Sequence, residues 1–411
     1  MKLARDEETE KEKPDTSQVE AAFTLLMAWL HRQRDFTPEM LRDEEAQKFI
    51  RTHASLLDKA VDYSIREVPM DEVSVARLKE SNYVFSGYKT FHELNEAFPS
   101  LVADDGTKKP FETFLNDVQT INENYNRHYL RSEYNFAMAS SRMAARWKDF
   151  ERDDDRYDLQ YRTVADERVR RSHRLLHNIT LPITSKFWDW YFPPNGWGCR
   201  CTVVQVRKGK YPLSDEREAM NLGSQATAGK HQEMFRFNPG KRMACFPYYN
   251  PYTIKRCQNC EFQPLKLAKR PDNPLCGACK ILGEITKRKE ILKARRKEIM
   301  AEAKKMREEI FRNPDFDRDI HLTGKGIDEW LNQPHKFIVE KNEMLLNIKD
   351  VLEKARYLGG GQDKNDLKAT AHLFETLVGG EKSWIIVKEY RQGEVNLYSI
   401  SDSKDILNIL K

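Results

Sequence analysis

Two histidines and two cysteines of this 411-residue chain have the types and the spacing needed to bind a metal ion. His173 and His177 lie four residues apart, and residues at that spacing share one face of a helix. Cys199 and Cys201 follow a Pro-Pro-Asn-Gly sequence, whose residues favour a turn. Such a turn would bring the cysteines back toward the histidines. Two His and two Cys ligands make the closed tetrahedral site that suits zinc.

The same stretch also fits an arrangement without metal. Five aromatic residues crowd ahead of the turn: Phe187, Trp188, Trp190, Tyr191 and Phe192. A hydrophobic knot around one hydrogen-bonded histidine would account for these rings equally well. A C-x-C pair alone is a weak metal signal, so the spacing leaves both interpretations open.

A second group of cysteines has a sharper pattern. Cys257, Cys260, Cys276 and Cys279 follow the spacing C-x2-C-x15-C-x2-C, which is typical of zinc sites. Each C-x-x-C offers two thiolates, and the segment between the pairs is too small to bury a core, so a metal would supply its folding energy. We expect one structural zinc here, with reduced pairs in a loop or disulfides as the alternatives. Cys245, among apolar neighbours, is predicted to be a buried, inert thiol.

The elements that must position these residues predict a multidomain α+β protein with a mostly helical N-terminal half. A strand at 161–164 is expected to enter the His/Cys stretch, and a strand at 201–206 to leave it. The predicted segments are a disordered tail (1–16), a helical region (17–110), a small α+β core (111–207), an irregular extension with the four-cysteine knuckle (208–279), a basic connecting helix (280–312) and a small α+β domain (313–411).

Local signals predict the N-terminal helices. Ser17 and Glu20 have the spacing of a capping box for the first helix, and Thr37-Pro38 is expected to open a second. Apolar residues from 49 to 61 recur at helical spacing and predict a third. Isolated histidines in this half are interpreted as ordinary surface or groove residues: His31, His53 and His92.

Composition limits the classes of partner. Charged residues make up 32% of the chain, but the formal net charge is only +5, so any contact with nucleic acid must come from local patches. No apolar run approaches the length of a membrane span, and the first residues lack the apolar core of a secretory signal, so we expect no membrane partner. The spacing of the seven cysteines suggests metal binding in a reducing cytosol.

The segment 280–312 is predicted to be one long helix. Ile285, Leu292, Ile299 and Met306 recur every seven residues, and twelve basic against six acidic residues give a net charge of +6. A narrow apolar seam with charged flanks suits a solvated connecting helix or a coiled-coil partner. The same basic face could also contact packaged DNA.

Three segments between 129 and 201 carry a family resemblance. An R-x-E-Y helix, a D-E-R-V-R-x-S-H segment and a P-P-N-G-W-x-C-R-C ending occur in order, as in the phage Mu protein F-like family. The resemblance implies a minor head or head morphogenesis protein that acts in capsid assembly and DNA packaging near the portal. It also implies portal and other head proteins as partners, assembly in the bacterial cytoplasm and a final place inside the capsid. The family motif places His or Cys at positions like His173, Cys199 and Cys201, but does not clearly cover His177.

The last domain, 313–411, resembles the small nuclease-like domains grouped with barnase, EndoU, colicin and RelE. Metal-independent RNA cleavage needs a general base, a cation for the phosphate and a proton donor. Candidates for these roles, each of which is also compatible with an ordinary surface position, are His321, Lys325, His335, Tyr357, His372 and Ser399. We expect a strand at 336–340, a helix at 344–357, a flexible turn at Gly359–Gly361 and a final hairpin of strands at 383–390 and 395–401.

Three function classes follow. The leading hypothesis is a phage or prophage minor head protein that carries an RNase-like domain. The alternatives are an RNase toxin carried by a phage-derived module, with RNA as the partner of the last domain, and a zinc-containing DNA-binding protein. Cleavage of RNA or salt-dependent DNA binding would separate them.

Overall fold

The computed structural model describes residues 14–152, 155–253, 274–307, 309–363, 369–390 and 393–410, with the backbone alone at 274–276. The chain divides into an N-terminal unit, Met1–Thr286, and a C-terminal unit, Lys287–Lys411. Both units are rich in helix and each contains one β-sheet, so the fold is mixed α+β. The tail predicted for 1–16 lies almost entirely outside the described residues.

The first half of the N-terminal unit is helical, as the sequence predicts. Its α-helices are α1 (Ser17–His31), α2 (Glu44–Glu67), α3 (Glu72–Ala97), α4 (Phe111–Asp117), α5 (Gln119–Asn122) and α6 (Leu130–Phe150). A π-helical segment, Glu123–Tyr129, joins α5 to α6. The long helices α2, α3 and α6 pack on one another and, with α1, bury their apolar faces in a common core.

Two local predictions in this half need correction. The residue before α1 is Thr16, whose hydroxyl donates to Glu20 Oε1 at 2.7 Å, so the N-terminal cap lies one residue ahead of the predicted Ser17. The helix predicted from Thr37-Pro38 is only a short 3-10 segment, Pro38–Arg42. A new helix then begins at Glu44 because Asp43 is extended and interrupts the helical backbone.

Charged side chains occupy the centre of this helical core. Lys89 on α3 donates to Glu133 Oε2 on α6 at 2.8 Å, and both side chains are almost fully buried. Tyr252 also donates to Glu133, and His53 Nε2 on α2 lies 3.5 Å from the same carboxylate. A second acid, Glu93, accepts from the amide of Asn126 at 3.0 Å. We call these residues the buried ion-pair cluster.

The surroundings of each titratable group in the buried ion-pair cluster determine whether that group is charged. Burial alone would raise the pKa of Glu133, but the ammonium of Lys89 and the ring of His53 outweigh it and lower that pKa to about 2. Burial lowers the pKa of His53 to about 4 and raises the pKa of Glu93 to about 8. At neutral pH the cluster therefore holds one ion pair, a neutral imidazole and a protonated Glu93. The interpretation of His53 as a surface or groove residue is wrong, because its side chain is fully buried.

A three-stranded antiparallel sheet follows the helices. Its strands are β1 (Tyr157–Arg162), β2 (Thr180–Leu181) and β3 (Thr202–Arg207), in the order β2-β1-β3. Two short helices lie between them, α7 (Arg171–Arg174) and α8 (Phe187–Tyr191). The strand predicted to leave the stretch is confirmed within one residue, whereas the entering strand starts four residues before its predicted position.

The rest of the N-terminal unit contains α9 (Glu216–Ala226), α10 (Pro239–Arg242) and the start of α11 (Pro274–Lys305). Cys245 is fully buried, as predicted, and burial raises the pKa of its thiol to about 12. The single helix predicted for 280–312 is correct only as far as Lys305. Residues 310–313 form a strand because they pair with the next strand of the C-terminal unit.

The C-terminal unit is built on a six-stranded sheet in the order β4-β5-β9-β8-β7-β6. Its strands are β4 (Ile310–Asn313), β5 (Phe316–Leu322), β6 (Arg356–Gln362), β7 (Ala369–Val378), β8 (Glu381–Tyr390) and β9 (Val395–Ser401). Only β5 and β9 are parallel neighbours. Its remaining helices are α12 (Gly324–Asn332), α13 (Ile338–Met344) and α14 (Ile348–Lys354). The predicted final hairpin, β8 and β9, is confirmed.

Three predictions in this unit need correction. The expected strand at 336–340 lies largely in helix α13, because its backbone makes helical hydrogen bonds such as that from the Lys341 amide to Phe337 O at 2.9 Å. The glycines at 359–361 lie within strand β6 and do not form a turn. A Cβ on Gly361 would lie 1.9 Å from Ile409 O, so glycine is needed there for close packing of the C-terminal 3-10 segment, Lys404–Leu410. The helix predicted for 344–357 ends at Lys354.

None of the helices that the structure describes is long and apolar enough to cross a membrane.

Candidate metal centre

Strand β1 holds both ends of the His/Cys stretch. On one side it pairs with β2, with Gln160 opposite Thr180, and on the other with β3, with Tyr161 opposite Val203. Because β2 follows α7 and β3 follows the C-x-C pair, this pairing brings the two parts of the stretch to the same region. The predicted return of the chain is therefore a consequence of sheet register.

The turn between α8 and β3 completes the return. Its Pro193-Pro194 peptide bond is cis, and Gly198 has a φ of +65°, a conformation that favours glycine. The amide of Cys199 donates to Gly196 O at 3.1 Å. Asn195 is fully buried, and its Oδ1 accepts a hydrogen bond from the Tyr161 hydroxyl at 2.9 Å, which ties the turn to β1.

Three of the four predicted ligands come together. His173 Nδ1 lies 3.7 Å from Cys199 Sγ and 3.7 Å from Cys201 Sγ, and all three side chains are buried or nearly so. We call these residues the His–Cys cluster. Across the residues that the structure describes, it is the one set of three His, Cys, Asp or Glu whose ligand atoms all lie within 4.8 Å of one another.

The spacing of the His–Cys cluster fits zinc. Tetrahedral bonds of about 2.3 Å to sulphur and about 2.0 Å to nitrogen put the two ligand atoms about 3.5 Å apart. The two observed nitrogen–sulphur distances, both 3.7 Å, match that separation. Three protein donors would leave one coordination position for a further ligand. The geometry therefore supports a zinc ion at this point, and ligation itself stays a prediction.

The two thiols share one ionisation. A hydrogen bond from Cys201 lowers the pKa of Cys199 well below the usual thiol value, and a second contribution comes from His173. The same hydrogen bond, together with burial, raises the pKa of Cys201. One thiolate and one thiol are thus expected without metal. A divalent cation would favour the second thiolate as well, because it supplies the missing positive charge.

His177 lies outside the His–Cys cluster. Its Nδ1 accepts a hydrogen bond from the Thr163 amide at 3.1 Å and lies 2.9 Å from the Thr163 hydroxyl. Helix α7 ends at Arg174, so the helical spacing that would align His177 with His173 is not maintained. In the described structure, the His177 side chain thus holds the start of the loop after β1.

Arginines fix the segments around the His–Cys cluster. Arg200, between the two cysteines, makes a bidentate ion pair with Asp166 at 2.6 and 2.7 Å. Arg170 donates to Trp197 O at 2.6 Å, and Arg174 to Asp166 O at 3.1 Å. The D-E-R-V-R-x-S-H segment is therefore tied to the W-x-C-R-C ending by charge-assisted hydrogen bonds. Sequence reasoning missed these pairs, although acids and arginines at 166–174 and an arginine between the two cysteines were visible signals.

The aromatic residues form the predicted hydrophobic knot. Four of the five rings are buried, and Trp190, 38% exposed, is the exception. The Phe192 ring packs edge-on against Trp147 of α6, with centroids 5.0 Å apart. The Trp188 indole donates to Pro182 O at 3.0 Å. The knot and the His–Cys cluster are therefore neighbouring parts of one core, so the two interpretations of the sequence are compatible.

The predicted four-cysteine knuckle lies largely outside the described residues. Cys257 and Cys260 lie outside the described residues, and only the backbone of Cys276 is described, in the first turn of α11. Cys279, one turn further along that helix, has its Sγ 3.0 Å from the Tyr88 hydroxyl of α3. Zinc at this site stays a prediction.

Two of the six nuclease candidates in the C-terminal unit contact each other. His372 Nδ1 lies 2.9 Å from the Tyr357 hydroxyl, on the sheet face that also carries the ring of Phe316. His335 Nε2 instead contacts the Ser383 hydroxyl at 3.1 Å, and Ser399 is buried in β9.

The remaining two candidates lie on the other face of the sheet. Ile320 and Leu322 are buried on the helix-covered face, so alternation along β5 places His321 on the opposite face. Lys325 lies with its Nζ 5.8 Å from the ring of Tyr398, which packs on that same opposite face. The structure thus separates His321 and Lys325 from His372.

Comparison with known protein families gives two matches. The family described as "Phage Mu protein F like protein" matches residues 106–204, a range that contains the whole His–Cys cluster. The family described as "Large polyvalent protein-associated domain 3" matches residues 290–398, within the C-terminal unit.

Three curated proteins have sequences that are similar to part of this chain. "Putative capsid assembly protein F" of Escherichia phage Mu is 48% identical over 44 residues, which are 11% of this chain and 10% of that protein. "Mu-like prophage FluMu F protein" of Haemophilus influenzae is 34% identical over 107 residues, 24% of this chain and 25% of that protein. "Uncharacterized protein MJ0329" of Methanocaldococcus jannaschii is 47% identical over 47 residues, 11% and 7% of the respective chains.

The chain therefore spans a quarter or less of the length of each of these curated relatives. No solved structure matches the chain significantly.

Proposed function

We propose that this chain, which carries a Mu F-like domain at residues 106–204, is a phage or prophage head protein that acts in capsid assembly and DNA packaging near the portal. Assembly would take place in the bacterial cytoplasm, and the finished protein would lie inside the virion with portal and other head proteins as partners. The observation that carries the proposal is the coincidence of the family match with the His–Cys cluster and the arginine pairs that hold it.

The similar proteins support this assignment by name. One is described as a putative capsid assembly protein and another as a Mu-like prophage protein. The core around β1, held by hydrogen bonds and the Arg200–Asp166 ion pair, suits a protein that must keep its shape within a crowded particle. We therefore infer a structural role for the domain.

A zinc ion would belong to the same proposal. His173, Cys199 and Cys201 would hold it, and it would cross-link α7 to the segment before β3, which adds stability. A second, structural zinc would be held by Cys257, Cys260, Cys276 and Cys279.

Head particles provide the test. Particles would be purified from a lysate of the phage or prophage that encodes the chain, with the wild-type gene and with a Cys199→Ser/Cys201→Ser variant. We expect the wild-type chain in the particles by mass spectrometry, and the variant to be depleted from them with fewer DNA-filled heads. Cys245→Ala, which changes a buried cysteine outside the His–Cys cluster, serves as the matched control. Wild-type particles that lack the chain would contradict the proposal.

A contact with packaged DNA is favoured by one surface. The part of α11 from 287 to 297 contains seven basic residues and one acidic residue, and most of these side chains are exposed. Arg295 is already paired with Glu343, at 2.6 and 2.7 Å, so the exposed residues available for phosphate contacts include Lys287, Arg288 and Lys293. Binding of the full chain to duplex DNA should weaken steeply with salt, and a triple Lys287→Gln/Arg288→Gln/Lys293→Gln variant should lower the salt slope by about 3. An unchanged slope would exclude this surface.

An RNase activity of the C-terminal unit is the second candidate function. The supporting observation is the contact of Tyr357 with His372, which joins a proton donor to a base. The test is incubation of the full chain with labelled single-stranded RNA in the presence of a chelator. Cleavage is expected, and intact RNA would retire both the RNase proposal and the toxin alternative.

A further inference from the structure

Four side chains from four strands form one hydrogen-bonded chain across the C-terminal sheet. The Tyr357 hydroxyl of β6 lies 2.9 Å from His372 Nδ1 of β7, and His372 Nε2 lies 3.1 Å from Glu389 Oε2 of β8. Glu389 Oε1 in turn accepts from Arg318 of β5. We call these four residues the relay. Two of them, Glu389 and Arg318, have no sequence pattern that marks them.

The hydrogen bonds fix the tautomer of His372. An ionised carboxylate can only accept, so His372 Nε2 carries the hydrogen that faces Glu389. His372 Nδ1 is then the acceptor and takes its hydrogen bond from the Tyr357 hydroxyl. This is the order of groups found in acid–base sites, with a hydroxyl, a base in contact with it and an acid that orients the base.

The backbone leaves space for this imidazole. Gly360 faces His372 across the β6–β7 pair, and a Cβ at that position would lie 2.5 Å from His372 Nδ1. Any residue other than glycine would therefore displace the ring from Tyr357. The ring of Phe316, with its centroid 4.8 Å away, supports the imidazole from another strand. The position of His372 is thus determined by contacts from three other strands, β5, β6 and β8.

Exposure decreases toward the middle of the relay. The His372 side chain is 11% exposed, Glu389 is 23% exposed, and Arg318 is half exposed. Tyr357 is partly exposed, so its hydroxyl is a group that a substrate can approach. The exposed guanidinium of Arg318 supplies positive charge beside the relay, which suits an anionic substrate such as the RNA backbone.

We propose that Tyr357 and His372 are the acid–base pair of an RNA-cleaving site and that Glu389 and Arg318 position them. The inference rests on the RNase activity proposed above. It excludes His321 and Lys325 from the reaction, since they lie on the opposite face of the sheet.

The reaction balances without a metal. The ribose 2′-oxygen attacks phosphorus, and its proton passes to His372 Nδ1, either directly or through the Tyr357 hydroxyl. The bond from phosphorus to the 5′-oxygen breaks, and the departing oxygen takes the proton of the Tyr357 hydroxyl, which the phenolate then recovers from solvent. The products are a 2′,3′-cyclic phosphate and a 5′-hydroxyl end. Glu389 stabilises the imidazolium, which afterwards returns its proton to solvent.

The experiment uses the full chain, a 5′-labelled single-stranded RNA and a chelator. His372→Ala should lower the cleavage rate by about 100-fold or more, and added imidazole should restore part of it. Tyr357→Phe should also lower the rate, and Glu389→Gln should lower kcat with little change in KM, as expected for a positioning residue. His128→Ala, an exposed histidine in the N-terminal unit, is the matched control and should leave the rate unchanged.

The outcomes separate this inference from the activity on which it rests. No cleavage by the wild-type chain overturns the proposed RNase function. Cleavage by the wild type that survives His372→Ala overturns the relay while the RNase function stands. Loss of cleavage in His372→Ala with a lowered melting temperature and no rescue by imidazole shows that the relay is structural, and it also overturns the inference.

Discussion

Replacing Glu93 by glutamine should remove a destabilisation of the N-terminal unit that grows as the pH rises. Glu93 is fully buried, and burial raises its pKa from 4.5 to about 8. The folded protein therefore keeps a proton on Glu93 at pH values where the unfolded chain has lost it. The contribution of this group to stability is complete below the unfolded pKa and is lost as the pH rises from 4.5 through about 8.

The magnitude follows from the two pKa values. Linkage between about pH 5 and about pH 8 gives a loss of about 3 kcal/mol in the free energy of unfolding from this one group. Glutamine does not titrate, and its carbonyl can accept the hydrogen bond that Asn126 donates to Glu93. The free energy of unfolding of the variant, relative to that of the wild type, should therefore rise by about 3 kcal/mol between about pH 5 and about pH 8.

Urea denaturation followed by circular dichroism at both pH values measures the difference. The matched control is Glu72→Gln, which changes an exposed glutamate in the first turn of the same helix and should follow the wild type. If the free energies of unfolding of the wild type and the variant differ by the same amount at both pH values, that result refutes the argument. It would mean that Glu93 is already ionised when folded, and that water or a local rearrangement stabilises the charge.

Three further predictions concern single sites. Cys199→Ser should lower bound zinc by about one ion per chain, as measured by elemental analysis, and unchanged zinc would remove the His–Cys cluster as a site. Arg200→Gln, which breaks a pair that is more than one-third exposed, should cost less than about 1 kcal/mol in thermal stability but weaken zinc retention against a chelator about tenfold. Gly361→Ala should destabilise by about 2 kcal/mol because of the contact with Ile409 O, whereas Gly283→Ala on exposed α11 should be neutral or stabilise by up to about 1 kcal/mol. Equal melting temperatures for the two glycine variants would contradict the packing argument.

The sequence predicted the return of the C-x-C pair to His173 because its causes are local. Turn residues at 193–196 and β-branched residues at 202–206 act over short separations, and both ends of the stretch pair with β1. The absence of His177 from the His–Cys cluster was harder to predict. Its spacing from His173 has meaning only while the helix continues, and α7 is a single turn.

The buried ion-pair cluster and the relay could not be predicted in this way. Lys89 and Glu133 are 44 residues apart in sequence, and the relay joins side chains from four strands. No local pattern encodes such contacts, because each residue alone has the properties of an ordinary surface residue. The prediction of a turn at Gly359–Gly361 was wrong for a related reason. Glycine is needed in β6 because His372 and Ile409, which lie on other elements, approach its backbone closely.

The 3-10 segment at the end of the chain has a consequence for solubility. Ile406, Leu407 and Ile409 pack on a sheet face formed by residues such as Leu373 and Ile386. Without this cover, a broad apolar surface would meet water, and two chains could lay such surfaces against each other as the layers of a β-sandwich do. By covering this apolar face, the 3-10 segment thus opposes self-association of the chain. This effect does not depend on zinc binding or RNA cleavage.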